Sequence, residues 1–80
     1  MKNVRLYDNG GKSYDRYTAV FMDRPLGYNN LFEALGFNDF PFHPTGFGQH
    51  CHAQPGRHLG KRITLDALPD DAKQFVNQNL

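Results

Sequence analysis

Val4-Arg5-Leu6-Tyr7 alternates apolar and polar residues, the two-residue period of a half-buried strand. Asp8-Asn9-Gly10-Gly11 follows, and Asn-Gly is a strong hairpin signal because both turn residues need φ > 0. The second strand of that hairpin is predicted near Ser13 to Met22. Its last four residues, Ala19-Val20-Phe21-Met22, are apolar at every position, which places them where both faces of a sheet are covered. Asp23-Arg24-Pro25-Leu26-Gly27 reads as the end of the strand. Leu31, Phe32 and Leu35 then fall on one helical face, with Asn29 or Asn30 as N-cap and Gly36 as a left-handed C-cap, so a short helix is expected there.

From Phe37 to Gly60 no period is visible. A loop this long is functional or disordered as a rule. Phe37, Phe40, Phe42 and Phe47 argue for order, because they give the segment its own apolar anchors. Lys61 to Leu65 reads as a third strand. A helix over 69–79 follows, capped by Asp66 or Asp70, with Pro69 at its first turn and Ala72, Phe75 and Val76 as its buried face. The expected fold is α+β: a short antiparallel sheet, made of the N-terminal hairpin plus one later strand, covered by a C-terminal helix. A long ordered Gly/Pro/Phe/His-rich loop completes it.

Eighty residues make one domain, 1–80, and a small one. With a single Cys no internal disulfide is available, so a metal, a homodimer or tight aromatic packing is expected to supply stability. Seven Phe and four Tyr supply the last of these. The N-terminus lacks a signal-peptide core, and no apolar run is long enough to cross a membrane. One unpaired thiol suits a reducing compartment, so a cytoplasmic location is expected.

The formal charge is only +1, but it is unevenly placed. Residues 25–56 contain no Lys or Arg, and Arg57, Lys61 and Arg62 then add three cations within six residues. Every histidine and the only cysteine lie in the same stretch, His43 to Arg62, which no acid interrupts. Glycines let backbone N–H groups approach an anion closely, Arg adds a two-pronged donor, and His donates from either nitrogen. Gln49, His50, Arg57, His58, Lys61 and Arg62 are therefore the candidate ligand-binding residues, with Phe47 or Tyr28 available to stack on a base. The bland alternative is a glycine-rich loop turning over its own backbone.

Zinc is the competing chemistry, with His43, His50, His52 and His58 as the alternative ligand set. The spacing H-x6-H-C-H-x5-H matches no recurring zinc layout, although His50 and His52 would share a side of an extended segment. No cofactor is otherwise expected. Cys51 stands between two histidines, but neighbours on an extended chain point to opposite sides, so a half-buried inert thiol is the better reading. The cationic strip is short and carries no recognition helix, which argues against double-stranded nucleic acid.

The strings Arg5-Leu-Tyr-Asp-Asn-Gly-Gly-Lys-Ser-Tyr-Asp-Arg-Tyr-Thr-Ala-Val-Phe, Pro41-Phe-His-Pro-Thr-Gly-Phe-Gly-Gln-His and Pro55-Gly-Arg-His-Leu-Gly-Lys-Arg-Ile resemble a family of small uncharacterised bacteriophage and mobile-element proteins. The resemblance implies a short accessory protein acting in a bacterial host cytoplasm, a setting in which counter-defence is common. It carries over no catalytic residue.

These readings converge on three functional expectations. The first is binding, without turnover, of a phosphorylated small molecule or nucleotide, with sequestration of a host defence signal as its purpose. The second is a protein–protein inhibitor of a bacterial defence or DNA-processing enzyme, using Phe42, Phe47 and the basic strip. The third is a metal-dependent hydrolase.

Overall fold

A computed structural model describes residues 3–80. Its frame is one five-stranded antiparallel sheet: β1 (Val4–Asp8), β2 (Tyr17–Pro25), β3 (Phe32–Phe37), β4 (Gly48–Ala53) and β5 (Lys61–Ile63). The order across the sheet is β4-β3-β2-β1-β5. A single α-helix, α1 (Asp70–Gln78), packs on one face.

This corrects the expected architecture. The sheet is not a hairpin plus one strand; strands dominate the chain, and β3 and β4 occupy the segments expected to be a helix and a loop. In β3, Ala34-Leu35-Gly36-Phe37 are all buried, so the alternation that marks a half-exposed strand is erased. The Asn pair is also not a helix cap. Asn29 (φ 53°) and Asn30 (φ 54°) are both left-handed, and the Leu31 N–H bonds the Tyr28 carbonyl at 3.1 Å, closing the two-residue turn that joins β2 to β3. Gly36 is no C-cap either: a Cβ there would lie 3.2 Å from Asp15 Oδ2.

β4 contains no β-branched or aromatic residue, which hid it. It forms because β3 is buried and its second edge needs partners. The pairing runs from Phe37↔Gly48 to Phe32↔Ala53. β2 likewise continues through the expected break at Asp23-Arg24-Pro25, with a register shift between Val20 and Pro25. Arg24 helps to hold this end: its guanidinium sits 4.3 Å from the Phe21 ring centroid and donates to the Asn79 carbonyl at 3.1 Å, at the C-terminus of α1.

Both faces of the sheet are packed. On the helix side Leu6, Tyr17, Ala19, Phe21, Leu35 and Phe37 meet Leu68, Ala72 and Val76. Phe37 is fully buried, with the Tyr17 and Phe75 ring centroids 5.6 and 5.5 Å away. On the other side Tyr7, Val20 and Ala34 are buried under a second apolar cluster that includes Met22, Phe32, Cys51 and Leu59.

Leu59 reaches that cluster because of the topology. β4 and β5 lie on opposite edges and run in the same direction, as their antiparallel pairings through β3, β2 and β1 require. Gly48 and Lys61 share one end of the sheet, so the chain leaves Ala53 at the other end and must cross diagonally to β5. Residues 54–60 make this crossing over the face opposite α1, with a single 3₁₀ turn at Arg57–Leu59. No helix of the chain is long and apolar enough to cross a membrane, among the described residues.

Candidate functional site

The diagonal strap comes down on the end of β1. Gly60 (φ 114°) lies so close to it that a Cβ would meet the Asp8 carbonyl oxygen at 2.3 Å. Only glycine combines that backbone angle with that approach. The Gly60 N–H closes the 3₁₀ turn on the Arg57 carbonyl at 3.0 Å. Between the strap, β1 and β5 an open cavity of about 490 Å³ remains, lined by Tyr7, Gly56, Arg57, Gly60, Lys61 and Arg62. That volume lies in the range of small-molecule sites.

The walls of the cavity are chiefly apolar, and three cationic residues border it. Arg57, Lys61 and Arg62 are exposed, and the one ion pair among the described residues joins Arg16 to Asp8 elsewhere. The three cations are therefore not neutralised by a paired carboxylate. Arg62 lies over the Tyr7 ring, 5.7 Å from its centroid. Asp8, opposite Lys61 in the β1–β5 ladder, has its pKa lowered chiefly by its hydrogen bond from Arg16, with Lys61 adding a smaller attraction. A second opening, of about 390 Å³, lies on the helix side of β5, where Asp66 joins Arg62 in the lining. Its mixed charge suits an anion less well.

The six candidate binding residues are divided by this geometry. Arg57 and Arg62 share the cavity; Lys61 borders it, but lies opposite Asp8 in the ladder, so its side chain leaves the sheet on the face opposite to that of Arg62. His58 is adjacent, its ring folded back so that Nδ1 lies 3.0 Å from where a Gly56 Cβ would be. Gln49 and His50 do not converge with them. Gln49 pairs with Gly36, which aligns through Thr18 and Tyr7 with Arg62, so four strand spacings separate Gln49 from Arg62, about 19 Å. His50 is opposite Leu35 and faces the helix side. The expected stacking partners are elsewhere too: Phe47 packs edge-on against Tyr14 at 5.9 Å, and Tyr28 stands in the β2–β3 turn. Tyr7 is the aromatic residue at the cavity. Sequence reading missed it because it lies some fifty residues before the cations, and only the β1–β5 pairing brings it there.

The alternative zinc set is also dispersed. His43 Nδ1 accepts the Thr45 N–H at 3.2 Å and sits 2.8 Å from Thr45 Oγ1, a local loop contact. His50 and His52 share the helix side of β4, and His58 lies on the strap. Among the described residues no group of three or more His, Cys, Asp or Glu is gathered as a metal site. Cys51 faces away from His50 and His52, so neither imidazole is placed to take its proton. Burial pushes its thiol pKa above the ordinary 9.0, and the Asp15 charge adds to the shift.

No protein-family model, curated protein or solved structure matches the chain. The chemistry of the site rests on its own geometry.

Proposed function

We propose that the chain binds a phosphorylated small molecule or nucleotide, without turnover, in the cavity beneath the diagonal strap. The observation that carries this reading is that Arg57 and Arg62, neither paired to a carboxylate, border a ligand-sized opening over Tyr7, with Lys61 at its edge. Arg57 and Arg62 would grip phosphate oxygens in pairs, Lys61 would add a point charge, and Tyr7 would form the apolar floor. His58 stands at the margin; Gln49 and His50 take no part. In the phage setting that the sequence resembles, such a site would sequester a host nucleotide signal.

The test is calorimetric titration with nucleoside mono-, di- and triphosphates and inorganic phosphate, on the wild type and on Arg57→Ala and Arg62→Ala. Binding should weaken with added salt and be lost in either variant, while folding stability stays within about 1 kcal/mol, as for exposed positions. Binding that ignores both substitutions, or no binding to any of these anions, would overturn the proposal.

One observation favours a second reading. Tyr14, Phe40 and Phe42 are 62, 59 and 47 % exposed, an unusual concentration of bare aromatic surface for a small chain. A protein inhibitor would use that surface. It would bind one host protein tightly, and Phe40→Ala would abolish the association while leaving any anion binding intact.

A further inference from the structure

β4 is an open edge. The Asn38 N–H bonds the Phe47 carbonyl at 2.9 Å, which fixes the phase of the ladder: Phe47, Gln49, Cys51 and Ala53 direct their backbone groups to β3. Gly48, His50 and His52 therefore direct theirs outward, away from the sheet. The strand carries no Lys, Arg, Asp, Glu or Pro, the residues that ordinarily guard an edge. The other edge is guarded: β5 is only three residues long and begins Lys61-Arg62.

His50 and His52 are exposed and stand on one face of that bare edge, opposite Leu35 and Glu33 of β3. One chain thus offers two imidazoles side by side, where a tetrahedral metal needs four donors. Two-fold symmetry supplies the other two. If β4 pairs antiparallel with a second copy about an axis at Cys51, His50 faces His52 of the partner subunit and the reverse. Their outward backbone groups then bond each other, and four imidazoles rise from the corners of a rectangle about 5.5 by 6.7 Å. Glu33, the cross-strand neighbour of His52, is placed to accept an imidazole N–H and to offset the metal charge. On the opposite face Cys51 meets its own symmetry mate.

We infer that β4 is a homodimer interface that a divalent transition metal such as zinc closes, through His50 and His52 of both copies. This goes beyond anion binding and is independent of it, because the edge and the cavity are on different sides of the sheet. Each protomer keeps its own cavity.

Native mass spectrometry with added zinc ion is the test. Wild type should form a dimer holding one zinc per two chains and return to monomer with EDTA. His50→Ala and His52→Ala should each stay monomeric at the same zinc concentration. Since both side chains are exposed, neither substitution should alter the Tm of the EDTA-treated protein. Cobalt in place of zinc should give the intense visible bands of tetrahedral coordination. A monomer that binds zinc alone, a dimer indifferent to EDTA and to both substitutions, or no zinc uptake would each overturn the inference. The axis is tested separately: a short thiol cross-linker should join Cys51 to Cys51 of the partner subunit in the zinc-loaded form only. A zinc dimer that does not cross-link would overturn the two-fold at Cys51.

Discussion

Arg16 holds Asp8 with two hydrogen bonds, Nε to Oδ1 at 2.8 Å and Nη2 to Oδ2 at 3.1 Å. The pair closes the base of the β1–β2 loop, where Asp8 pairs with Tyr17 and Asp8 Oδ1 also accepts the Gly10 N–H at 2.8 Å. Because the Arg16 hydrogen bond lowers the Asp8 pKa below its ordinary 3.8, the carboxylate is bound more favourably in the folded chain than in the unfolded one. The sign follows: the stabilisation is fully present above pH 3.8 and is lost as pH falls through the lower folded value. Asp8→Asn should melt a few degrees below wild type near neutral pH, since the pair is partly exposed. Melting curves from pH 7 to pH 2.5 should show that gap closing at the acid end. A gap that stays constant would mean the charge contributes nothing.

Gly60 and Gly27 form a matched pair of substitutions. Both have positive φ, 114° and 87°, but a Cβ at Gly60 would strike the Asp8 carbonyl whereas Gly27 faces open space. Gly27→Ala should therefore cost about 1–2 kcal/mol, the left-handed penalty alone. Gly60→Ala adds displacement of the strap and should cost about 3 kcal/mol or more. Urea denaturation of the two variants measures the difference directly. Equal losses would show that the strap yields without resistance.

The Asn29-Asn30 turn offers a test of the corrected strand assignment. Both residues are left-handed, a conformation asparagine tolerates and alanine does not. Asn30→Ala should cost about 1 kcal/mol, while Asn30→Gly should stay within about 0.5 kcal/mol of wild type. An innocuous Asn30→Ala would count against a left-handed residue at this position.

Burial of Cys51 makes a kinetic prediction. With its pKa above 9.0, the thiol should react slowly with a disulfide reagent at pH 7, and the rate should climb with pH to a midpoint above 9. Stopped-flow measurement in EDTA keeps the zinc equilibrium out of the reading. A midpoint near 7 would reveal an activated nucleophile and reopen a catalytic role.

Much of this fold was legible in the chain and some of it could not be. The β1–β2 pairing followed from Val4 to Tyr7 alternation and the apolar Ala19-Val20-Phe21 run, and α1 lies inside the span read from Ala72, Phe75 and Val76. β3 was concealed because a strand buried on both sides has no polar rhythm, and Leu31, Phe32 and Leu35 happen to satisfy a helical spacing as well. β4 was concealed because Gln-His-Cys-His has little intrinsic preference for a strand; its structure is imposed by its neighbour. The cluster of cations at 57–62 was visible, but its division from Gln49 and His50 was not. Distance along the chain says nothing about which edge of a sheet a residue reaches.

The diagonal path from Ala53 to Lys61 also sets an order of assembly. β1 to β4 form a meander of consecutive hairpins, each closing locally, whereas Leu6 meets Ile63 only after the whole meander has been crossed. Closing so long a loop is slow, so β5 is expected to join last and to open first. The cationic residues of the cavity belong to this late-docking segment, and its floor belongs to the early one. An anion held between them would act as a latch, and backbone hydrogen exchange in Lys61–Ile63 would slow on binding more than exchange anywhere else in the sheet.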